Sequence, residues 1–150
     1  LLQKMRKNKV GLTRHQLREV AFQVNFSMLY ATDLTVEEAI ENVMALYEEQ
    51  EEVVIPQYVE LVVTGVKEHQ EELDTLIEKH LKRWKVSRIA KTDLVILRLA
   101  LFEMLYVSDI PNKVSLNEAL EIAKTFSDDE SRRFINGVLS SAMNELDSSN

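Results

Sequence analysis

The sequence predicts an all-α fold, and three observations carry that prediction. Apolar residues recur at helical rather than alternating spacing over long stretches. Only three Gly and two Pro interrupt the 150 residues, too little punctuation for many short strands. Four positions match the capping-box pattern: Thr13 with Gln16, Thr35 with Glu38, Ser115 with Glu118 and Ser127 with Glu130. In that pattern a hydroxyl and a carboxylate or amide satisfy orphan N–H groups at a helix start.

About seven helices follow in order. Thr13 opens one over 13–31 and Thr35 one over 35–50. Pro56 suits the first turn of a third, over 55–70, because its missing N–H has no intrahelical partner there. A break near Glu71 separates it from a fourth over 72–83. The fifth, over 91–107, is apolar almost all round (Leu94, Val95, Ile96, Leu97, Leu99, Ala100, Leu101, Phe102, Met104, Leu105), which predicts a centrally buried helix. Its lone arginine, Arg98, then requires an ion-pair partner, since an unpaired buried guanidinium is expensive. Ser115 opens a sixth over 115–126. A seventh over 129–146 carries the stripe Ile135, Val138, Leu139, Ala142 and Leu146. Gly65 and Gly137 sit inside helical patterns at about 1 kcal/mol relative to Ala, and close helix–helix approach is expected at both.

Charge is unevenly spread. The chain carries a formal net charge of −7, yet Lys4, Arg6, Lys7, Lys9, Arg14, His15 and Arg18 fall together without one Asp or Glu. Such asymmetry points to a basic arm or helix face meeting a polyanion, of which a nucleic-acid backbone is the commonest. The bland alternative is a basic tail that binds nothing in particular. Residues 1–12 read as a flexible basic arm ahead of a single helical domain over 13–150. The absence of Cys excludes thiol catalysis, Cys-based zinc sites and a disulfide framework. No apolar run is long enough for a membrane span, and no secretory leader is visible, so a cytoplasmic protein without a membrane partner is expected.

Catalysis has little support. His15, His69 and His80 are scattered, and there is no H-E-x-x-H pair, Gly-rich phosphate loop or G-x-S-x-G elbow. The acidic clusters Glu48–Glu52 and Glu68–Glu72 read as solvated surface. No catalytic residue, metal site or cofactor is expected, and the protein reads as a non-enzyme.

Two patches combine cations with aromatic rings. On the first helix Leu17, Val20, Ala21, Val24 and Met28 form a core-facing stripe at about 100° per residue. Beside it lie Arg14, His15, Arg18, Phe22, Asn25 and Phe26. Cations neutralise phosphates and rings offer platforms for unpaired bases, a combination suited to single-stranded RNA. The alternative for Phe22 and Phe26 is packing beneath a neighbouring helix, favoured for Phe22 and open for Phe26. The second patch spans Lys124, Phe126, Asp128, Asp129, Glu130, Arg132, Arg133 and Phe134. Its acids complement the dipole at a helix N-terminus, and its cations and rings repeat the first theme.

Three strings resemble the NusB family of transcription antitermination factors: Ile96-Leu97-Arg98-Leu99-Ala100-Leu101-Phe102-Glu103, Val114 to Lys124, and Phe134-Ile135-Asn136-Gly137-Val138-Leu139. The opening from Arg14 to Gln23 is similar to that family's arginine-rich first helix. The resemblance runs over roughly 13–146 and is loose from 35 to 85. It implies two small helical bundles sharing one core. It also implies pairing with the ribosomal protein that doubles as NusE, to grip a boxA-type single-stranded RNA within the RNA polymerase antitermination complex, including during ribosomal RNA synthesis.

By position, the resemblance implies RNA-facing roles for Arg14, Arg18, Phe26, Phe126, Glu130, Arg133 and Phe134, and a NusE contact for Asp93. His15-Gln16 and Phe26 depart from the arginines and tyrosine seen in some members. Phe26 can stack but cannot donate a hydroxyl hydrogen bond. Glu130 either selects base amino groups or a ribose hydroxyl, or is simply a helix-start carboxylate. The competing functional readings are the RNA-binding front domain of a ribosomal-RNA cytosine methyltransferase and a helical scaffold that binds only proteins.

Overall fold

The Thr13 hydroxyl accepts a hydrogen bond from the Gln16 backbone at 3.1 Å, and the Gln16 side chain accepts from Thr13 N at 2.8 Å. That reciprocal pair starts α1 (Arg14–Met28) where the sequence places it. Thr35 and Glu38 repeat the arrangement at 3.1 and 2.9 Å to start α2 (Val36–Met44). Backbone and side-chain hydrogen bonds from Thr35 hold the Glu38 carboxyl below the ordinary range.

Further along lie α3 (Gln57–Glu68), α4 (Gln70–Lys79), a 3-10 turn (Val86–Arg88), α5 (Lys91–Tyr106), α6 (Asn112–Phe126) and α7 (Asp129–Ser148). The computed structural model describes residues 12–47 and 55–148. Among them there are seven α-helices and no strand, so the all-α expectation holds. Lys4, Arg6, Lys7 and Lys9 of the basic arm lie outside the described residues, as does the end of the helix expected over 35–50.

Two compact units divide between Thr64 and Gly65, within α3. In the first, α1 packs against α2 through Val20, Ala21, Val24, Ala39, Ile40 and Met44, all essentially inaccessible. Gln23 of α1 also donates to the Tyr47 hydroxyl. In the second, α5 packs against α4, α6 and α7. Every residue from Asp93 to Glu103 is buried, as its unbroken apolar run predicts, and each large side chain so buried is worth roughly 1.5–3 kcal/mol.

The ion pair required for Arg98 is present. Its Nε and Nη2 donate to the two carboxylate oxygens of Asp74 on α4, both at 2.8 Å. A bidentate fork of this kind is the strong form of the interaction.

Two of the four expected capping boxes are not formed. At α6 the helix begins earlier, after Pro111, whose carbonyl accepts from Val114 N and Ser115 N at 2.9 and 3.3 Å. Ser115 is therefore one turn inside. Its hydroxyl donates instead to Glu103 Oε1 at 2.8 Å, where a buried carboxylate needs donors. At α7 the cap is Asp128, whose Oδ1 accepts from Ser131 N at 2.8 Å. A carboxylate there complements the helix dipole better than the Ser127 hydroxyl, and Ser127 N already closes α6 on Ala123 O.

The glycines divide as well. A Cβ on Gly65 would lie 2.1 Å from Phe102 Cζ, so close packing explains that glycine. At Gly137 an added Cβ would meet nothing within 4 Å. The expected helix–helix approach is not what this position serves, and nothing in the structure explains it.

The helix expected over 72–83 runs instead from Gln70 to Lys79, with His69 at its start and His80 at its end. His80 reaches α7, its Nδ1 2.8 Å from Ser141 Oγ and its Nε2 2.7 Å from Glu145 Oε2. Lys79 donates to the other Glu145 oxygen. These bonds from Lys79 and His80 hold the Glu145 carboxyl below its ordinary range.

Candidate nucleic-acid interface

In the first unit, α1 turns its cations toward Tyr58 of α3. The Arg14 guanidinium sits 4.8 Å from that ring's centroid and Arg18 5.7 Å from it, both within range of a cation–π attraction. Their exposures differ sharply. Arg14 is at the surface, whereas Arg18 is only 6% exposed. Helical spacing puts Arg18 on the open face beside Arg14; the structure sinks it into the core edge, while the core candidates Leu17 and Met28 are only half-buried. His15 lies 3.5 Å from Glu19, one turn on, and Asn25 donates to Ala21 O of its own helix.

Phe22 and Phe26 of α1 and Tyr30, two residues beyond its end, form a row at i, i+4, i+8. Phe22 and Phe26 have ring centroids 6.0 Å apart and nearly parallel, and Phe26 meets Tyr30 at 5.5 Å with a 57° tilt. Phe22 is buried, as its packing alternative requires. Phe26 is half-buried and Tyr30 is 68% exposed. The row thus runs from the interior to solvent, and Tyr30 supplies an exposed ring with a hydroxyl beside Phe26. Tyr30 is absent from the candidates drawn from the sequence, although its spacing from Phe26 signals it.

In the second unit, Phe126 ends α6 and is 37% exposed. Two residues intervene before α7, where Glu130 and Arg133 are exposed and Phe134 is half-buried. Arg133 and Phe134 lie three and four residues beyond Glu130, hence on the same helical face. The connection from α6 to α7 is short, and Asp128 caps the second helix.

Asp93 lies in the first turn of α5 and is buried. Its Oδ2 accepts from Ser131 Oγ at 3.1 Å. Its Oδ1 has no hydrogen-bond partner among the described residues. Burial raises its pKa, the Ser131 bond works against this, and the nearby Asp128 charge adds to the rise. A buried carboxylate oxygen left unsatisfied is costly, and a donor from outside would relieve it.

No group of three or more His, Asp or Glu able to hold a metal ion exists among the described residues. None of their helices is long and apolar enough to cross a membrane.

The fold and these faces define a small all-helical protein that presents cations and aromatic rings together at its surface. The model of the NusB family matches residues 15–144, and the chain belongs to the NusB family. It is 50% identical to the transcription antitermination protein NusB of Enterococcus faecalis over 149 residues, covering 95% of this chain and 97% of that one. It is 46% identical to the protein of the same name from Bacillus subtilis, covering 92% of this chain and 100% of the other.

Among solved structures, NusB of T. maritima superposes with a TM-score of 0.79 at 29% identity, over 91% of this chain and 94% of that one. A chain from a structure of antitermination factors NusB and NusE in complex with dsRNA matches with a TM-score of 0.75. It covers 89% of this chain and 99% of its own; at 23% identity it shows the fold alone.

Proposed function

We propose that the protein is an RNA-binding transcription antitermination factor that pairs with NusE and grips a boxA-type single-stranded RNA. In this role it acts on elongating RNA polymerase, including during ribosomal RNA synthesis. It works in the cytoplasm, as a binding protein rather than an enzyme. The observation that carries this reading is the pairing of exposed cations with partly exposed rings on α1 and at the start of α7, in a chain of this family. Relatives matched across nearly their whole length bear the antitermination name. That supports this reading over the front domain of a methyltransferase.

The residue roles follow from exposure. Arg14 and Arg133 are surface cations that neutralise phosphates, and Phe26, Phe126 and Phe134 offer ring faces to unpaired bases. Arg18 acts from beneath, holding Tyr58 and the local positive potential. Glu130 accepts from a base amino group or a ribose hydroxyl. Asp93 meets NusE at the first turn of α5, where a side-chain shift would open its unsatisfied oxygen to a partner's donor.

The test is a competition titration. A labelled boxA-like single strand is bound by the full chain, alone and with NusE, against an unlabelled duplex of the same sequence. Tighter binding with NusE, because two small surfaces are then joined, and poor competition by the duplex are expected. Equal competition by the duplex contradicts the single-strand reading. Indifference to NusE contradicts the partnership.

A further inference from the structure

Between Glu78 and Asp93 the chain carries no acidic residue, yet Lys79, Lys82, Arg83, Lys85, Arg88 and Lys91 all fall there. Lys79 is engaged by Glu145. Lys82, Arg83, Lys85 and Arg88 are exposed, and none is held in an ion pair with another described residue. In their midst Trp84 is 59% exposed. A large indole set in solvent and surrounded by cations matches what a single strand requires: a ring for a base, charges for the phosphates on either side.

The segment is anchored rather than trailing. Val86 N donates to Glu78 Oε2 at 2.8 Å. Arg88 N and Ile89 N close the 3-10 turn on Lys85 O and Val86 O at 2.9 and 3.1 Å. Ile89 is buried. A platform fixed in advance loses less entropy when a ligand arrives.

We infer that residues 82–88 form an additional single-stranded-RNA contact in which Trp84 stacks on a base and Lys82, Arg83, Lys85 and Arg88 meet phosphates. The inference rests on the RNA-binding reading of the protein and extends its footprint to a segment outside the faces described above. An acidic peptide or an anionic lipid surface would also attract a basic, Trp-bearing segment. RNA is favoured because cations alternate closely with the ring and because other faces of the chain present the same chemistry.

Trp84 is the only tryptophan in the chain, so its emission reports on this segment alone. The experiment follows labelled boxA-like RNA by anisotropy and Trp84 emission in one titration of the full chain with NusE present; if NusE carries tryptophan, a Trp-free variant of it is used. Emission should be quenched in step with anisotropy. Trp84→Ala should weaken binding about tenfold, within the range of a single base stack. The triple variant Lys82→Gln, Arg83→Gln, Lys85→Gln should make the slope of log affinity against log salt shallower by about 2. Helical melts of all variants should match the parent.

If RNA binds while emission and both variants stay at parent values, the inference is overturned and the RNA-binding function stands. If no RNA binds at all, both fall. Equal quenching by polyglutamate or phosphatidylserine vesicles would overturn the assignment to RNA.

Discussion

Ser131 Oγ donates to Asp93 Oδ2 at 3.1 Å, joining the first turn of α7 to the first turn of α5. One hydroxyl is a thin partner for a buried carboxylate, and Asp93 Oδ1 stays unsatisfied among the described residues. Asp93, the residue proposed to meet NusE, is therefore a point of stored cost in the free chain.

Asp93 makes stability pH-dependent with a definite sign. Burial raises its pKa above the ordinary 3.8, so the folded state keeps a proton that the unfolded state has released. Its effect on stability falls as pH rises from that ordinary value through the raised one, then levels off. Asp93→Asn should melt above the parent at neutral pH, and the difference should shrink as pH drops through this window. Circular-dichroism melts across acid to neutral pH check this, and NusE binding by the variant should weaken.

The Arg98–Asp74 fork is a structural pair. Arg98→Ala leaves Asp74 without its partner and should cost about 3–5 kcal/mol, the usual penalty for breaking a buried pair. Arg98→Met should cost less when combined with Asp74→Asn than alone. Urea unfolding of the two single variants and the double variant measures the coupling.

Arg18 and Arg133 should separate cleanly. Arg18 is buried against Tyr58, so Arg18→Ala should lose about 2 kcal/mol of stability along with RNA affinity. Arg133 is exposed. Arg133→Ala should change stability by less than about 0.5 kcal/mol and make the salt slope shallower by about 0.7. Melts beside RNA titrations distinguish the two residues.

The two helical glycines should respond in opposite directions. Gly65→Ala drives a methyl into the Phe102 ring and should cost about 1–3 kcal/mol through overpacking. Gly137→Ala meets no obstacle and should gain about 1 kcal/mol from helix propensity. Thermal unfolding of each variant decides.

What was legible in the chain was mostly local. Thr13 with Gln16 and Thr35 with Glu38 carry both halves of their caps within four residues, so pattern alone finds them. The burial of α5 followed from its own composition. The need for an Arg98 partner was equally plain, but Asp74 lies 24 residues away, and nothing local singles it out among 25 acids. Ser115 and Ser127 lost their expected caps to distant or stronger competitors, Glu103 and Asp128.

The same division holds for the candidate site. Arg14, Glu130 and Arg133 are exposed, as surface candidates must be. Arg18 is not, because Tyr58 arrives from another helix to cover it. Tyr30 and Trp84 carried readable signals, a four-residue spacing and an acid-free basic run. Neither lies within the N-terminal concentration of charge over residues 4–18.

The central claim is that surface cations of this chain neutralise the phosphates of a single-stranded RNA. The most direct measurement is the affinity of the full chain with NusE for a boxA-like single strand across a series of salt concentrations. With Arg14, Arg133 and the four cations of residues 82–88 on phosphates, log affinity should fall against log salt with a slope of roughly −4. A slope near zero, or no saturable binding, would contradict the account and leave a scaffold that binds only proteins.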